Sequence, residues 1–129
     1  MLTVDQATQP REEWRKGVET VMLVSAVTGS SQLCIFEQFC DPGLGAPNHL
    51  HAVEEVLTVV AGEAEIWVGA RYAATGGHSV IIPAGKFHGF RNTGETTLHV
   101  RATLAAPIFE ASYDDRAELT RRWVPTSSH

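Results

Sequence analysis

Several features that would restrict the class of this protein are missing from its 129-residue sequence. No apolar stretch approaches the 18 residues of a membrane-spanning helix, and no charged-then-apolar leader opens the chain. Basic residues are in deficit, with 10 lysines and arginines against 15 acidic residues, so a broad attraction to phosphate backbones is not expected. These absences predict a cytoplasmic protein that binds neither membranes nor nucleic acid.

Cysteine is also scarce, since only Cys34 and Cys40 are present. If the segment between them is extended, their Cα atoms lie about 20 Å apart, whereas a disulfide requires about 4.4 to 6.8 Å. We therefore expect two reduced, partly buried thiols, and we assign Cys40 no nucleophilic role. Ser-His-Asp and Cys-His arrangements, phosphate-binding glycine loops and dinucleotide fingerprints are absent as well.

What the sequence does contain is a series of short β-rich segments between Val18 and Ile108, separated by Gly, Pro, Asn and Asp. Many short strands joined by tight turns are typical of an all-β sandwich or barrel. We predict one such barrel domain over residues 18–110. The polar residues 1–17 predict an N-terminal arm or short helix that packs Trp14 against the barrel.

The C-terminal segment DDRAELTRRW has a different pattern. Its acidic residues come first, and Arg121 and Arg122 come last, which is the order that complements a helix dipole. The sequence therefore predicts a short C-terminal helix followed by a tail over residues 111–129.

Ionisable residues stand unusually close to the apolar run VLTVVAG. His49 and His51 are two residues apart, so on a strand they share one face. Glu55 cannot belong to that strand and meet them, because four residues span about 13 Å. We expect the chain to turn before Glu55, which then begins the next strand on its inward face. His88 follows a Pro-x-Gly turn after another apolar strand.

The spacing of these residues resembles the two motifs of the cupin family. The first motif, G-x5-H-x-H-x3/4-E-x6-G, is filled by Gly43, His49, His51, Glu55 and Gly62. The second, G-x5-P-x-G-x2-H-x3-N, is filled by Gly77, Pro83, Gly85, His88 and Asn92. The resemblance covers residues 43–92, and the short gap between the motifs is typical of single-domain members. It implies a double-stranded β-helix, or jelly-roll, barrel with one metal held by His49, His51, Glu55 and His88.

Three imidazoles and one carboxylate suit Fe, Mn, Ni, Co, Cu or Zn and leave one or two positions open. With a divalent ion the site carries one excess positive charge, which favours an anionic or chelating ligand such as a carboxylate, enolate, diketone or catecholate. Lys86 is the nearest candidate cation for such a ligand, with a solvated turn lysine as the alternative. Candidates for the apolar wall are Phe36 or Phe39, Leu57, Ile66, Val68 and Phe90.

Three classes of function remain open at this point, because the fold hosts all of them. The protein is a small dioxygenase acting on an organic acid, diketone or phenol, or a non-redox isomerase, lyase, decarboxylase or cyclase, or a non-catalytic binding module. In the second class Glu55 or a metal-bound hydroxide moves the proton. A metal-dependent enzyme is preferred, and dioxygenase chemistry slightly so. By analogy with cupins we expect a homodimer, with the N-terminal arm and Trp67 as possible contact surfaces.

The other three histidines fall outside the motif positions. His99 alternates with the apolar residues of its strand and is predicted to face outward. His78 follows a turn glycine and is expected to form a hydrogen bond within that turn. His129, the last residue, receives no role.

Overall fold

In the computed structural model, which describes residues 3–126, the chain forms two antiparallel sheets of six strands each. The strands are β1 Arg11–Arg15, β2 Val18–Val24, β3 Cys34–Cys40, β4 Gly45–Leu50, β5 Glu55–Ala61, β6 Glu63–Val68, β7 Ala70–Thr75, β8 Ser79–Ile82, β9 His88–Asn92, β10 Leu98–Leu104, β11 Phe109–Tyr113 and β12 Leu119–Arg122. Two single-turn 3₁₀ helices, Gln6–Thr8 and Ala26–Thr28, complete the structure.

The two sheets face each other as the halves of a jelly-roll barrel. The first sheet has the order β1-β2-β3-β10-β5-β8, and the second has the order β12-β11-β4-β9-β6-β7. Neighbours in a sheet are often distant in sequence, as β3 and β10 are, so the chain crosses repeatedly between the halves. The predicted all-β barrel is confirmed.

Alternating side chains build the core between the sheets. In β10, Leu98, Val100, Ala102 and Leu104 are buried, while Arg101 is exposed. Full burial of such an aliphatic side chain contributes about 1.5 to 3 kcal/mol, which explains why period-two alternation settles which face turns inward.

Glycine occupies the tight connections. All four motif glycines have positive φ, and Gly62, at 100°, makes the turn between β5 and β6. A Cβ at Gly62 would also press on the backbone of Leu98. Both the positive φ and this close contact therefore disfavour any larger residue at this position.

The predicted C-terminal helix is wrong. Residues 114–118 form a turn and bends, and β12 then pairs with β11. The charged side chains do not compensate a helix dipole. Arg121 Nε instead donates a hydrogen bond to Glu110 Oε2 on the neighbouring strand, at 2.7 Å. Pairing with the edge of β11 also brings Trp123 against the barrel core, a long-range gain that no local charge pattern reveals.

The N-terminal segment is largely extended. Its residues 11–15 form β1, which pairs with β2 and so belongs to the first sheet. Trp14 packs as expected, in a group that we call the aromatic cluster: Trp14, Phe36, Phe109 and Trp123, with neighbouring ring centroids 5.0 to 5.8 Å apart.

Cys34 and Cys40 are both free, as predicted, and they are fully rather than partly buried. Burial raises the pKa of each thiol to about 12, so both stay protonated and unreactive at neutral pH. Among residues 3–126 there is no helix long and apolar enough to cross a membrane.

Candidate metal centre

The four motif residues converge at one point between the sheets. His49 lies near the end of β4 and is paired in register with His88, the first residue of β9. Glu55 begins β5 on the opposite sheet, and bends at residues 52–53 return the chain from His51 toward it, as expected. Each residue offers one ligand atom, and these atoms all lie within 4.8 Å of one another. All four residues are buried.

Backbone carbonyls set the orientation of the three imidazoles. A carbonyl oxygen has no proton to give, so each Nδ1 facing one must be the donor, and in the neutral imidazole Nε2 then carries the lone pair. The contacts are His49 Nδ1 with Pro47 O at 2.7 Å, His51 Nδ1 with Glu110 O at 2.7 Å and His88 Nδ1 with Lys86 O at 2.9 Å. The fold thus presents three Nε2 lone pairs to one point, as metal-binding histidines require.

The charges in the cluster are strongly coupled. Burial alone would raise the pKa of Glu55, but hydrogen bonds from His51 and His88, with their charges, outweigh it and hold that pKa below its usual range. Burial would lower the pKa of His51, but the hydrogen bond and charge of Glu55 raise it. Burial, reinforced by the charges of His88 and His51, lowers the pKa of His49 to about 3. His49 is therefore neutral, the form that binds a metal.

The spacing of the donor atoms fits a single transition metal. Glu55 Oε1 lies 3.2 Å from His51 Nε2 and 2.9 Å from His88 Nε2. Adjacent ligands at about 2.1 Å from one ion, at right angles, are separated by about 3.0 Å. Three nitrogen donors and one carboxylate oxygen also match the ligand preference of first-row metals such as Mn, Fe and Zn. The cluster therefore fits one metal site, whose metal identity this donor set leaves open.

A cavity adjoins the cluster and extends toward the aromatic cluster. The empty space between its atoms, including the part open to solvent, is about 370 Å³. The centre of a water molecule fits in only about 20 Å³ of that space. That is room for about one water or one ion, so a larger ligand requires lining side chains to move. Besides the four ligand candidates, the lining residues are Trp14, Arg15, Phe36, Gln38, Ala46, Leu57, Phe90, Ala102, Phe109 and Tyr113.

The predicted substrate-pocket residues divide into two groups. Phe36, Leu57 and Phe90 line the cavity. Ile66, Val68 and Lys86 do not. Ile66 is fully buried in the core, and Val68 lines a separate outer groove beside β7 and β8.

Lys86, in the turn before β9, does not line the cavity either. The side chain of Lys86 is exposed, and its contribution to the site is the carbonyl that holds His88. Phe39, the alternative to Phe36, faces outward and stacks on His99 at 4.3 Å between ring centroids.

Five residues that line the cavity with polar or aromatic side chains were not predicted from the sequence: Trp14, Arg15, Gln38, Phe109 and Tyr113. The alternation of β11, in which Phe109, Ala111 and Tyr113 are buried, could have identified two of them. Trp14 and Arg15 follow a register shift in β1, which local patterning does not show.

The remaining histidines behave as predicted where they are described. His99 lies on the outer face, with Nε2 2.7 Å from Glu37 Oε1. His78 Nδ1 accepts a hydrogen bond from the backbone of Thr75 at 2.9 Å, within its turn. His129 lies outside the described residues.

Solved structures with the same fold differ widely from this chain in sequence. A RmlC-like cupin from Shewanella frigidimarina is 23% identical with a TM-score of 0.71, and the alignment covers 88% of this chain and 93% of that one. The polyketide cyclase RemF from Streptomyces resistomycificus is 19% identical with a TM-score of 0.72, covering 97% and 87%. Oxalate decarboxylase from Bacillus subtilis, described with Mn(II) centres, is 16% identical with a TM-score of 0.77, covering 85% of this chain but 31% of that longer one.

No protein among curated sequences matches the chain. The family profile of the cupin domain, however, matches residues 36–105, which is more than half of the sequence and includes all four candidate ligands. The chain therefore belongs to the cupin family.

Proposed function

We propose that this protein is a metal-dependent enzyme that acts on a small organic anion, and that His49, His51, Glu55 and His88 hold its metal. The observation that carries the proposal is the convergence of three carbonyl-oriented imidazoles and one carboxylate beside a cavity. A divalent metal bound there supplies Lewis acidity and, if redox-active, the means to activate dioxygen. The cyclase and the decarboxylase of the same fold support an enzymatic use of such a site.

The residues around the cluster orient and shield the reacting groups. The carbonyls of Pro47, Glu110 and Lys86 keep the imidazoles in the ligating tautomer. Phe36, Leu57 and Phe90 form an apolar wall that excludes water and strengthens electrostatic interactions in the cavity. Substrate contact by these three residues stays a prediction.

The cavity lining favours oxygenase chemistry over proton-transfer chemistry. Apart from the four cluster residues, the titratable groups among the lining residues are Arg15 and Tyr113. A non-redox isomerase, lyase, decarboxylase or cyclase needs a positioned acid or base, and here that role falls to Glu55 or Tyr113. Because Glu55 is already engaged by two histidines, we favour a dioxygenase acting on an organic acid, diketone or phenol.

Elemental analysis of protein purified without a metal-affinity tag gives the first test, and we expect close to one transition-metal ion per chain. Oxygen uptake is then measured with the Fe(II)-loaded protein and a diketone, a catechol or an aromatic carboxylate. We expect substrate-dependent oxygen uptake that Glu55→Gln abolishes.

Two other outcomes decide against dioxygenation. Equal turnover of a substrate without oxygen in the Zn(II)-loaded protein assigns the site to non-redox catalysis. Tight binding of a ligand without turnover, whichever metal is loaded, assigns the protein to the class of binding modules.

A further inference from the structure

Two arginines of this protein differ from the rest in their charge environment. The chain contains eight arginines, and six of them lie within 4.0 Å of a carboxylate oxygen: Arg11, Arg71, Arg91, Arg101, Arg116 and Arg121. Within residues 3–126, Arg15 and Arg122 have no such partner. Arg15 lines the cavity beside the metal cluster, and Arg122 lies over the ring of Trp14, which also lines it.

Arg15 reaches the cavity because β1 is irregular. The register with β2 shifts between Glu13 and Arg15, so two consecutive side chains, Trp14 and Arg15, both line the cavity. A bulge re-aims side chains in this way, often beside a binding site. Nε of Arg15 donates to the carbonyl of Gly45 at 2.9 Å, which anchors the guanidinium. Its two terminal nitrogens form no hydrogen bond to any described residue.

Arg122 approaches the same place from the second sheet. It is paired in register with Phe109, which lines the cavity, and its guanidinium carbon lies 3.9 Å from the ring centroid of Trp14. Arg122 therefore lies over the tryptophan that precedes Arg15 in the chain. Glu12 adds a negative charge nearby, but more than 4.0 Å away, and its Oε2 faces Trp14 Nε1 at 3.4 Å.

Unsatisfied donors are concentrated here as well. Two buried side-chain nitrogens in the described residues lack a hydrogen-bond partner, Arg122 Nε and Trp123 Nε1. Buried donors nearly always have partners, so two orphans on adjacent residues indicate an acceptor that arrives from outside. Trp123 also has φ of 59°, a conformation rare for a non-glycine residue and frequent at binding sites.

We propose that Arg15, Arg122 and Trp123 Nε1 bind the carboxylate of a small aromatic acid. Planar guanidinium groups match the two oxygens of a carboxylate, and the indole donor adds one further hydrogen bond. The rings of Trp14, Phe36 and Phe109 provide flat apolar walls for the body of the ligand. Because the cavity holds about one water, the ring enters only as lining side chains move. The inference rests on the proposed function in taking this ligand as the substrate of the metal site.

The test compares benzoate with benzamide, its neutral counterpart of similar shape, by calorimetry and tryptophan fluorescence on the Zn(II)-loaded full chain. We expect the wild type to bind benzoate at least about tenfold more tightly than benzamide. Arg15→Gln and Arg122→Gln each weaken benzoate binding by about tenfold or more, the loss typical of a hydrogen bond to a charged group, and leave benzamide binding unchanged. Arg121→Gln, whose side chain pairs with Glu110 on the surface, is the matched control and binds benzoate like the wild type.

Two further variants keep the test decisive if a glutamine variant fails to fold. Arg122→Lys retains the positive charge over Trp14 and is expected to weaken benzoate binding less than Arg122→Gln does. Trp123→Phe retains the ring but deletes the donor, and it is expected to weaken benzoate binding several-fold.

The inference is overturned if the wild type binds no benzoate, if it binds both compounds equally, or if folded arginine variants bind benzoate like the wild type. Repeating the titrations on metal-free protein separates this failure from that of the proposed function. Loss of benzoate binding in the arginine variants without metal supports the arginine site, even if the metal assignment fails.

Discussion

Two glutamates of this protein are each held by two nitrogen-bearing side chains, one between the sheets and one outside them. Glu55 faces His51 and His88 in the barrel, whereas Glu37, on the outer face of the first sheet, faces His99 and Arg101. The two residues are similarly hidden, with 4% and 8% of their surface exposed. Burial of the carboxylate therefore does not distinguish a metal site from an ion-pair network.

The partners make the difference. Around Glu37 the second partner is a guanidinium, which donates protons and has no lone pair for a metal. Around Glu55 the partners are imidazoles whose Nδ1 protons are already committed to carbonyl oxygens, and His49 adds a third. The three neutral imidazoles of the inner cluster can therefore offer lone pairs to a metal, whereas the guanidinium of the outer cluster offers none.

The largest effect is expected from removing one histidine of the inner cluster. His49→Ala and His88→Ala each remove one of four ligands, so bound metal is expected to fall from about one ion per chain to near zero. His99→Ala, which removes a histidine beside the other glutamate, leaves the metal content intact. Elemental analysis of the three purified variants measures this contrast. Full metal content in either of the first two variants contradicts the ligand assignment.

A second contrast concerns stability. Free metal at 100 times its dissociation constant stabilises the folded state by about 2.7 kcal/mol if the unfolded chain does not bind it. We expect this gain in the wild type and in Glu37→Gln, and a much smaller one in Glu55→Gln, whose neutral amide is a poorer ligand. Urea unfolding with and without Zn(II) measures it. Equal gains in the two variants would exclude Glu55 as a ligand.

The smallest expected effect is on the pH dependence of stability. Burial alone would raise the pKa of Glu37, but hydrogen bonds and charges from His99 and Arg101 outweigh it and lower that pKa. A pKa lower in the folded than in the unfolded state gives a stabilisation that is complete above the ordinary carboxyl value of about 4.3, and that is lost as pH falls through the folded value.

Glu37→Gln is therefore expected to be less stable than the wild type by about 0.5 to 1 kcal/mol at pH 7, a small value because Arg101 is partly solvated. The difference should shrink toward pH 3. Urea unfolding at a series of pH values in metal-free protein tests this expectation. A difference independent of pH would show that the variant acts through packing and not through the carboxylate charge.

Much of the fold follows from local patterns. Alternation in β10 depends only on neighbouring residues, and it is as expected. The C-terminal segment shows the limit of such patterns. Its charge order favours a helix, but the open edge of β11 and the core contact of Trp123 favour a strand, and neither is visible in the segment itself.

The candidate site divides in the same way. The resemblance of the two motifs to those of cupins identified His49, His51, Glu55 and His88. A strand period and a turn account for the first three, whereas His88 joins them because β9 pairs with β4. The cavity around them was only half predicted. Trp14 and Arg15 from the N-terminal strand also line it, and Arg122 from the last strand lies over Trp14.

The barrel class follows from residue alternation and turn residues along the chain, and the resemblance of the two motifs to those of cupins implied the donor atoms of the metal cluster. Which side chains line the cavity beside those donors, and which arginines stay without a carboxylate, followed from the folded structure alone. Those outcomes depend on contacts between strands far apart in the chain, whose energies arise only when the two sheets close on each other.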